Sequence, residues 1–126
     1  MENSNTDLLI READRLIDTA TEELQRAEED VITHLICVNS RQSILNYLIA
    51  FLHRNGEAAK KPVTMAGLLD QCRALDGRFH LIDLTPINCR FKAQEDDYCL
   101  HVEKVAECLQ IARQTQAITH DTSPAY

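Results

Sequence analysis

Residues 8–27 read LLIREADRLIDTATEELQRA, and their apolar positions Ile10, Ala13, Ile17, Ala20, Leu24 and Ala27 step alternately by three and four. Only a helix gathers that spacing onto one stripe, because 3.6 residues complete a turn. Alanine at every second stripe position lets a neighbouring helix approach closely, as in an antiparallel bundle pair. Glu12, Asp14, Arg15, Asp18, Glu22 and Arg26 fall on the opposite face and are expected in solvent. Asn5 or Thr6 is placed to cap the helix start, and Asp7 suits the positive end of its dipole.

The stripe continues in phase through Val31, His34, Val38, Arg41, Leu45, Leu48 and Leu52. A single helix of that length would be unusual in a compact domain, and Glu28-Glu29-Asp30 reads as the acidic first turn of a second helix, so a break is expected near residues 27–30. The second helix ends at His53-Arg54-Asn55, with Gly56 just beyond it as the left-handed terminator. It is apolar almost all round, from Leu35 to Val38 and from Ile44 to Leu52, which predicts the most buried element. Asn39-Ser40-Arg41-Gln42-Ser43 interrupts it with a polar run that goes more than once around the helix. Buried polar groups cost free energy unless bonded, so this run should form a network or line a site. Asn39, Arg41, Gln42, Asn46 and Tyr47 are therefore candidate binding residues, with Arg41 expected to meet an acidic group, a ligand or a dimer axis.

Residues 57–63 form a short basic linker. Thr64 is placed to cap a third helix on Met65, Leu68, Leu69, Cys72 and Leu75, ended by Gly77. Residues 78–95 show no helical period, and Phe79, Leu81, Ile82, Leu84, Ile87 and Phe91 are the apolar surface by which so long a connection would pack; Thr85-Pro86 suits the start of a short turn. A fourth helix is expected from about residue 96 to 118 on Tyr98, Val102, Val105, Leu109 and Ala112. The fold class is therefore all-α, an antiparallel up-down four-helix bundle with a long packed loop before the last helix. One domain over residues 1–119 and a flexible tail over 120–126 complete it.

Composition agrees with that class. The chain has 126 residues, 44% of them hydrophobic, with three Gly, three Pro and no Trp. A chain of this length can build one self-sufficient core, and its residue usage favours helices over a sandwich or barrel. The net charge of −7 argues against sequence-blind binding to DNA or to an anionic membrane. That charge is uneven: Met1 to Asp30 holds ten acidic and three basic residues, whereas Arg54 to Lys92 holds seven basic and four acidic, so a local phosphate-binding end is compatible with it. Met1 to Asp7 lacks the basic and apolar stretches of a secretory signal, and a cytoplasmic protein is expected. Cys37, Cys72, Cys89, Cys99 and Cys108 lack the two-residue spacing of zinc or redox motifs and read as small buried hydrophobes. No phosphate loop, serine triad or dinucleotide fingerprint is present, and no cofactor is expected.

The stretch from Glu29 to Gly56, above all Cys37-Val38-Asn39-Ser40-Arg41-Gln42-Ser43-Ile44 followed by Tyr47-Leu48 and Phe51-Leu52, resembles the second helix of small bacterial HEPN domains. The later order is similar too: Leu68-Leu69-Asp70-Gln71-Cys72, then Asp76 and Phe79, a cysteine-bearing loop, and Tyr98-Cys99 opening the last helix. The resemblance implies a bundle of antiparallel helices, commonly homodimeric, in a family that includes RNase toxins and partners of minimal nucleotidyltransferases. The function it implies is a non-catalytic dimeric binding or accessory module, with a nucleotidyltransferase-like protein, a nucleotide or RNA as partner. The alternatives are an atypical or degenerate metal-independent RNase of a toxin–antitoxin pair and a metal-binding four-helix bundle.

Active members of the family carry an Arg and a His separated by four to six residues near the final helix. Such a His can move a ribose 2′-hydroxyl proton while the Arg stabilises the developing phosphorane charge. At the expected place Arg90 and His101 have ten residues between them, Glu95-Asp96-Asp97 included, and those carboxylates would repel a phosphate. The spacing itself occurs at Arg73 with His80 and at Arg113 with His120, and nine Arg and five His give about one such match by chance. For a metal, Asp30 with His34 and Asp97 with His101 are i, i+4 pairs expected near the starts of the second and fourth helices, at one end of the bundle.

Overall fold

The computed structural model describes residues 2–85, 87 and 102–121, and every regular element among them is helical. Four α-helices, α1 (Glu2–Leu24), α2 (Thr33–Arg54), α3 (Met65–Leu75) and α4 (Val102–His120), are accompanied by 3₁₀ turns at Glu28–Asp30 and Gly77–Leu81. The stripe of α1 is buried at Ile10, Ala13, Ile17 and Ala20. The helix starts earlier than its capping residues suggested, so Asn5 and Thr6 lie inside it and Thr6 is buried. Ala27 lies past the helix end and is exposed.

The break falls where the sequence places it, but α2 does not open on the acidic triplet. Glu28–Asp30 close a 3₁₀ turn in which Asp30 N–H donates to Ala27 O at 2.8 Å, and α2 begins at Thr33 with no acidic residue in its first turn. The Glu23 carboxylate, from the last turn of α1, instead accepts the Ile32 N–H at 2.8 Å and pairs with Arg26 at 3.2 Å. A carboxylate thus meets the positive end of α2 across the corner rather than from its own sequence. Because the chain turns at this corner, the phase carried over from α1 misses the inner face of α2 over its first half, and of that stripe only Leu48 and Leu52 are buried. His34 and Val38 are exposed and Arg41 and Leu45 half-buried, while Ile36, Ser40, Ile44, Tyr47 and Phe51 face inward.

α2 packs most extensively on α1, then on α4, then on α3. Asn39 and Ser43 of its polar run, with Asn46 one turn on, face α1. Asn39 Nδ2 lies 3.4 Å from Leu16 O, Ser43 Oγ 3.1 Å from Ala13 O, and Asn46 Nδ2 3.5 Å from Leu9 O. Numbers that rise in α2 meet numbers that fall in α1, so this helix pair runs antiparallel. Ser43 Oγ also lies 2.8 Å from Asn39 O, so its one proton is shared between two carbonyls. Ser40 Oγ is buried with no hydrogen-bond partner among the described residues.

α2 stops where Gly56 adopts φ +75°, with Gly56 N–H donating to His53 O at 3.0 Å and Glu57 N–H to Leu52 O at 2.8 Å. These are the two bonds that satisfy the last carbonyls of a helix. Thr64 caps α3 by accepting Gly67 N–H at 3.0 Å. α3 ends at Leu75, and Asp76 rather than Gly77 terminates it: its carboxylate accepts Arg78 N–H at 2.9 Å and pairs with the Arg78 guanidinium at 2.6 Å. That turn drives Phe79 into the core against Phe51, ring centroids 4.7 Å apart. Ile82 is buried and Leu84 and Ile87 pack on the core, as the loop requires, but Leu81 is 73% exposed. Pro86, Cys89, Phe91, Tyr98 and Cys99 lie outside the described residues.

α4 buries Val105, Leu109 and Ala112, as the periodicity predicts. It extends to His120, which therefore belongs to the helix and not to a tail, and Asp121 pairs with Arg78 at 2.9 Å. Cys37, Cys72 and Cys108 are buried; burial and the charge of Asp76 push the Cys72 thiol up to about 12. α2 has the length and composition to cross a membrane, yet most of its apolar stretch is buried inside the protein, as in the core helix of a bundle.

The α1–α2 approach depends on small side chains, so Ala13→Leu should cost about 1–3 kcal/mol in denaturant unfolding by overpacking the seam. Ser43→Ala should cost about 1 kcal/mol, whereas Ser40→Ala, which removes an unbonded buried hydroxyl, should be neutral or stabilising.

Candidate functional site

Three helices meet around one carboxylate. Asp14 of α1 accepts a short hydrogen bond from the Tyr47 hydroxyl of α2, a bond from Gln116 Nε2 of α4 at 3.0 Å, and His120 Nε2 of α4 at 2.9 Å from Oδ1 and 3.0 Å from Oδ2. The expectation that Asp14 faces solvent is thereby corrected: it borders the stripe, one residue after Ala13, on the side where α4 lies. Tyr47 is fully buried, while His120 stays about half exposed with its ring edge-on to Tyr47 at 6.2 Å. Gln116 and His120 are four apart and so share a face of α4.

Burial alone would raise the Asp14 pKa, but the hydrogen bonds from Tyr47, His120 and Gln116, together with the charge of His120, outweigh it and hold the carboxyl below its ordinary value. Burial first, and then the bond to Asp14, push the Tyr47 phenol far up, so it remains a donor. With Asp14 acceptor-only, Nε2 carries a proton toward it, which leaves Nδ1 as the outward ring nitrogen. An imidazole oriented in this way can accept or deliver a proton, or bond an anion.

An open cleft of about 390 Å³ adjoins this cluster, lined by Asp7, Ile10, Arg11, Asp14, Arg54 and His120. Arg54 Nη1 donates to Thr119 O at 2.9 Å, which holds its guanidinium against the last turn of α4. Two further hollows lie on the other side of α1, about 420 Å³ along Asn5, Leu8, Leu9, Glu12, Asn46, Ile49 and His53, and about 310 Å³ at Asn5, His53 and Gly56–Ala58.

The candidate residues from sequence fall into separate places. Asn39 and Asn46 hold α1, Gln42 donates to Asn46 Oδ1 at 2.9 Å, Tyr47 joins Asp14, and Arg41 is half-buried on α2. Arg73 braces the turn after α3, donating to Ile82 O at 2.9 Å and Phe79 O at 3.4 Å, while His80 is exposed. Arg113 and His120 share a face of α4 and both reach α1: Arg113 Nη2 lies 2.8 Å from Thr21 Oγ, as His120 meets Asp14. α4 therefore runs antiparallel to α1, and about 10 Å of helix separates the two side chains. Asp30 sits in the 3₁₀ turn before α2 and His34 is exposed within α2, so they are not an i, i+4 pair of one helix; Asp97 and His101 lie outside the described residues. Among the described residues no three His, Cys, Asp or Glu side chains could hold a metal ion.

Asp14, Gln116, Arg11 and Arg54 are the site residues that sequence reasoning missed. The one available signal was Tyr47, a phenol in the most apolar helix that needed an acceptor. No family model, curated protein or solved structure matches this chain.

Tyr47→Phe should cost about 1–2 kcal/mol, since it removes a hydrogen bond to a charged acceptor. Asp14 and, through its hydrogen bonds from Arg78, Asp76 have depressed carboxyl pKa values in the folded protein. The stability they contribute is complete above the ordinary carboxyl value of about 4 and is lost as pH falls through the lower native values. Urea unfolding across roughly pH 2–6 should show that acid loss, and Asp14→Asn should make it shallower.

Proposed function

We propose that this chain is a non-catalytic binding or accessory module of HEPN-like build, an up-down antiparallel four-helix bundle that works in the cytoplasm as a homodimer beside a nucleotidyltransferase-like protein. The observation that carries this reading is what the inward turn of the polar run leaves outside. Asn39, Ser43 and Asn46 are spent on α1, so the outer side of α2 presents Val38, Leu45 and Ile49, with Leu8 and Leu9 beside them on α1. Leu8 is 60% and Val38 45% exposed. Leu8, Leu9 and Ile49 line one hollow edged by Glu12, Asn46 and His53, which has the character of an association surface, an apolar centre with a polar rim.

A non-catalytic role is supported by the fate of the Arg and His pairs. The Arg73 guanidinium is occupied by backbone carbonyls, and Arg113 lies two turns from His120. The RNase reading keeps one observation in its favour, the orientation of His120 by Asp14 on the face it shares with Arg113.

Light scattering on the purified protein should give twice the chain mass, and Leu8→Asp with Ile49→Asp should give the monomer with its helical circular dichroism retained. A wild-type monomer overturns the homodimer. Purified protein should leave RNA intact; cleavage that disappears in His120→Ala would replace this reading with the RNase one.

A further inference from the structure

Around the cleft between the α1 face and the C-terminal ends of α2 and α4 the charges balance, Asp7 and Asp14 against Arg11 and Arg54. Such a hollow favours neither a bare anion nor a bare cation, because either guest would meet as much like charge as opposite charge. A guest that carries both signs meets no such conflict.

How the charges are spent narrows the ligand. Asp14 is already met by Tyr47, Gln116 and His120. Arg54 gives Nη1 to Thr119 O at 2.9 Å, and the rest of its fork is unbonded among the described residues. Asp7 and Arg11 are both exposed and make no hydrogen bond or ion pair among the described residues. They stand four apart on one helix with the acid first, an arrangement in which such neighbours readily pair. Glu12 with Arg15, and Asp70 with Arg73 at 3.4 Å, do close on each other elsewhere on the surface. Asp7 and Arg11 instead line the cleft side by side, one carboxylate and one guanidinium with their bonding capacity intact. Their positions differ by about 6 Å of helix rise, a gap that a molecule the size of an amino acid or a dipeptide bridges. Ile10 supplies the apolar part of the lining, and a volume of about 390 Å³ is in the range of small-molecule sites.

We infer that this cleft binds a small zwitterion, an α-amino acid or dipeptide with an apolar side chain, its carboxylate on Arg11 and Arg54, its ammonium on Asp7 and its side chain against Ile10. A guanidinium fork matches the two oxygens of a carboxylate, and an acceptor-only carboxylate suits the three donors of an ammonium. His120, held through Nε2 by Asp14, is a fixed part of the wall. The inference goes beyond the association reading and stands independently of it, because the cleft lies on the opposite side of α1 from Leu8 and Leu9.

The test is calorimetric titration of the full chain with L-leucine, leucyl-leucine, N-acetyl-leucine, which lacks the ammonium, and leucinamide, which lacks the carboxylate. A zwitterion should bind, and both blocked forms should bind at least about tenfold more weakly, since each leaves one charge of the protein without its partner. Leucyl-leucine binding tighter than leucine assigns the natural ligand to dipeptides; equal or tighter binding of leucine assigns it to free amino acids. Arg11→Gln, with helical circular dichroism retained, should weaken the zwitterion about tenfold and narrow its advantage over leucinamide. Asp7→Asn should weaken it similarly and narrow its advantage over N-acetyl-leucine. The inference is overturned if neither zwitterion binds at concentrations up to about 10 mM, if a blocked form binds as well as leucine, or if either substitution leaves binding unchanged. Leu8→Asp with Ile49→Asp should abolish association and leave zwitterion binding intact, so the two readings fail separately.

Discussion

The close approach of α1 and α2 is the constraint on which everything else rests. Ala13 and Ala20 leave α1 almost smooth along its stripe, and the polar run of α2 fills the space with side chains that reach backbone carbonyls. Those carbonyls already accept their own helical bonds, and each has a second lone pair to offer. A polar belt that would be a liability in an apolar helix thereby becomes a ruler: Asn39, Ser43 and Asn46 can meet Leu16, Ala13 and Leu9 together in one antiparallel register only. The contacts at 3.4–3.5 Å are long, and Ser43 at 3.1 Å is the firmest of them, so the belt contributes more to register than to stability.

Fixing that register fixes Asp14. One residue along from Ala13, it comes level with Tyr47, and the carboxylate and phenol then present a ready-made acceptor to whatever helix covers them. α4 answers with Gln116 and His120 one turn apart. The Asp14 charge is stabilised by three donors from two helices, and in return it sets the orientation of a half-exposed imidazole. At the far side of the 3₁₀ turn, Arg78 bridges Asp76 and Asp121, which ties the exit of α4 to the end of α3 and keeps that last turn in place.

The two sides of α1 consequently differ in kind. Toward the outer face of α2 it offers Leu8 and Leu9 beside Ile49, an apolar strip suited to another protein surface. Toward the ends of α2 and α4 it offers Asp7, Arg11 and Asp14 beside Arg54 and His120, a polar hollow. The concentration of acidic residues in the first thirty positions is consistent with both. Glu12 is paired with Arg15 and Glu23 with Arg26, while Asp7 and Asp14 of the same stretch line the hollow together with Arg11 and Arg54.

Much of this was legible in the residues. The three- and four-residue steps of α1, the Gly56 terminator, the Thr64 cap and the seam of α4 are local rules, decided by dihedral preference and periodicity over a few turns. The sequence by itself determined that the described elements are helical, that α2 stops at Gly56 and that α2 is the most buried of them. It did not determine which face is inner over the first half of α2, because the phase that runs from Ile10 is broken at a corner built on Glu23 and Ile32 and meets the core again only at Leu48 and Leu52. Nor did it determine the partners of Asp14: residues 14, 47, 116 and 120 carry no spacing rule among themselves, and only the register of three packed helices brings them together. Tertiary structure decided the site because electrostatics and hydrogen bonding act through space over a few ångströms, whereas periodicity speaks only along the chain.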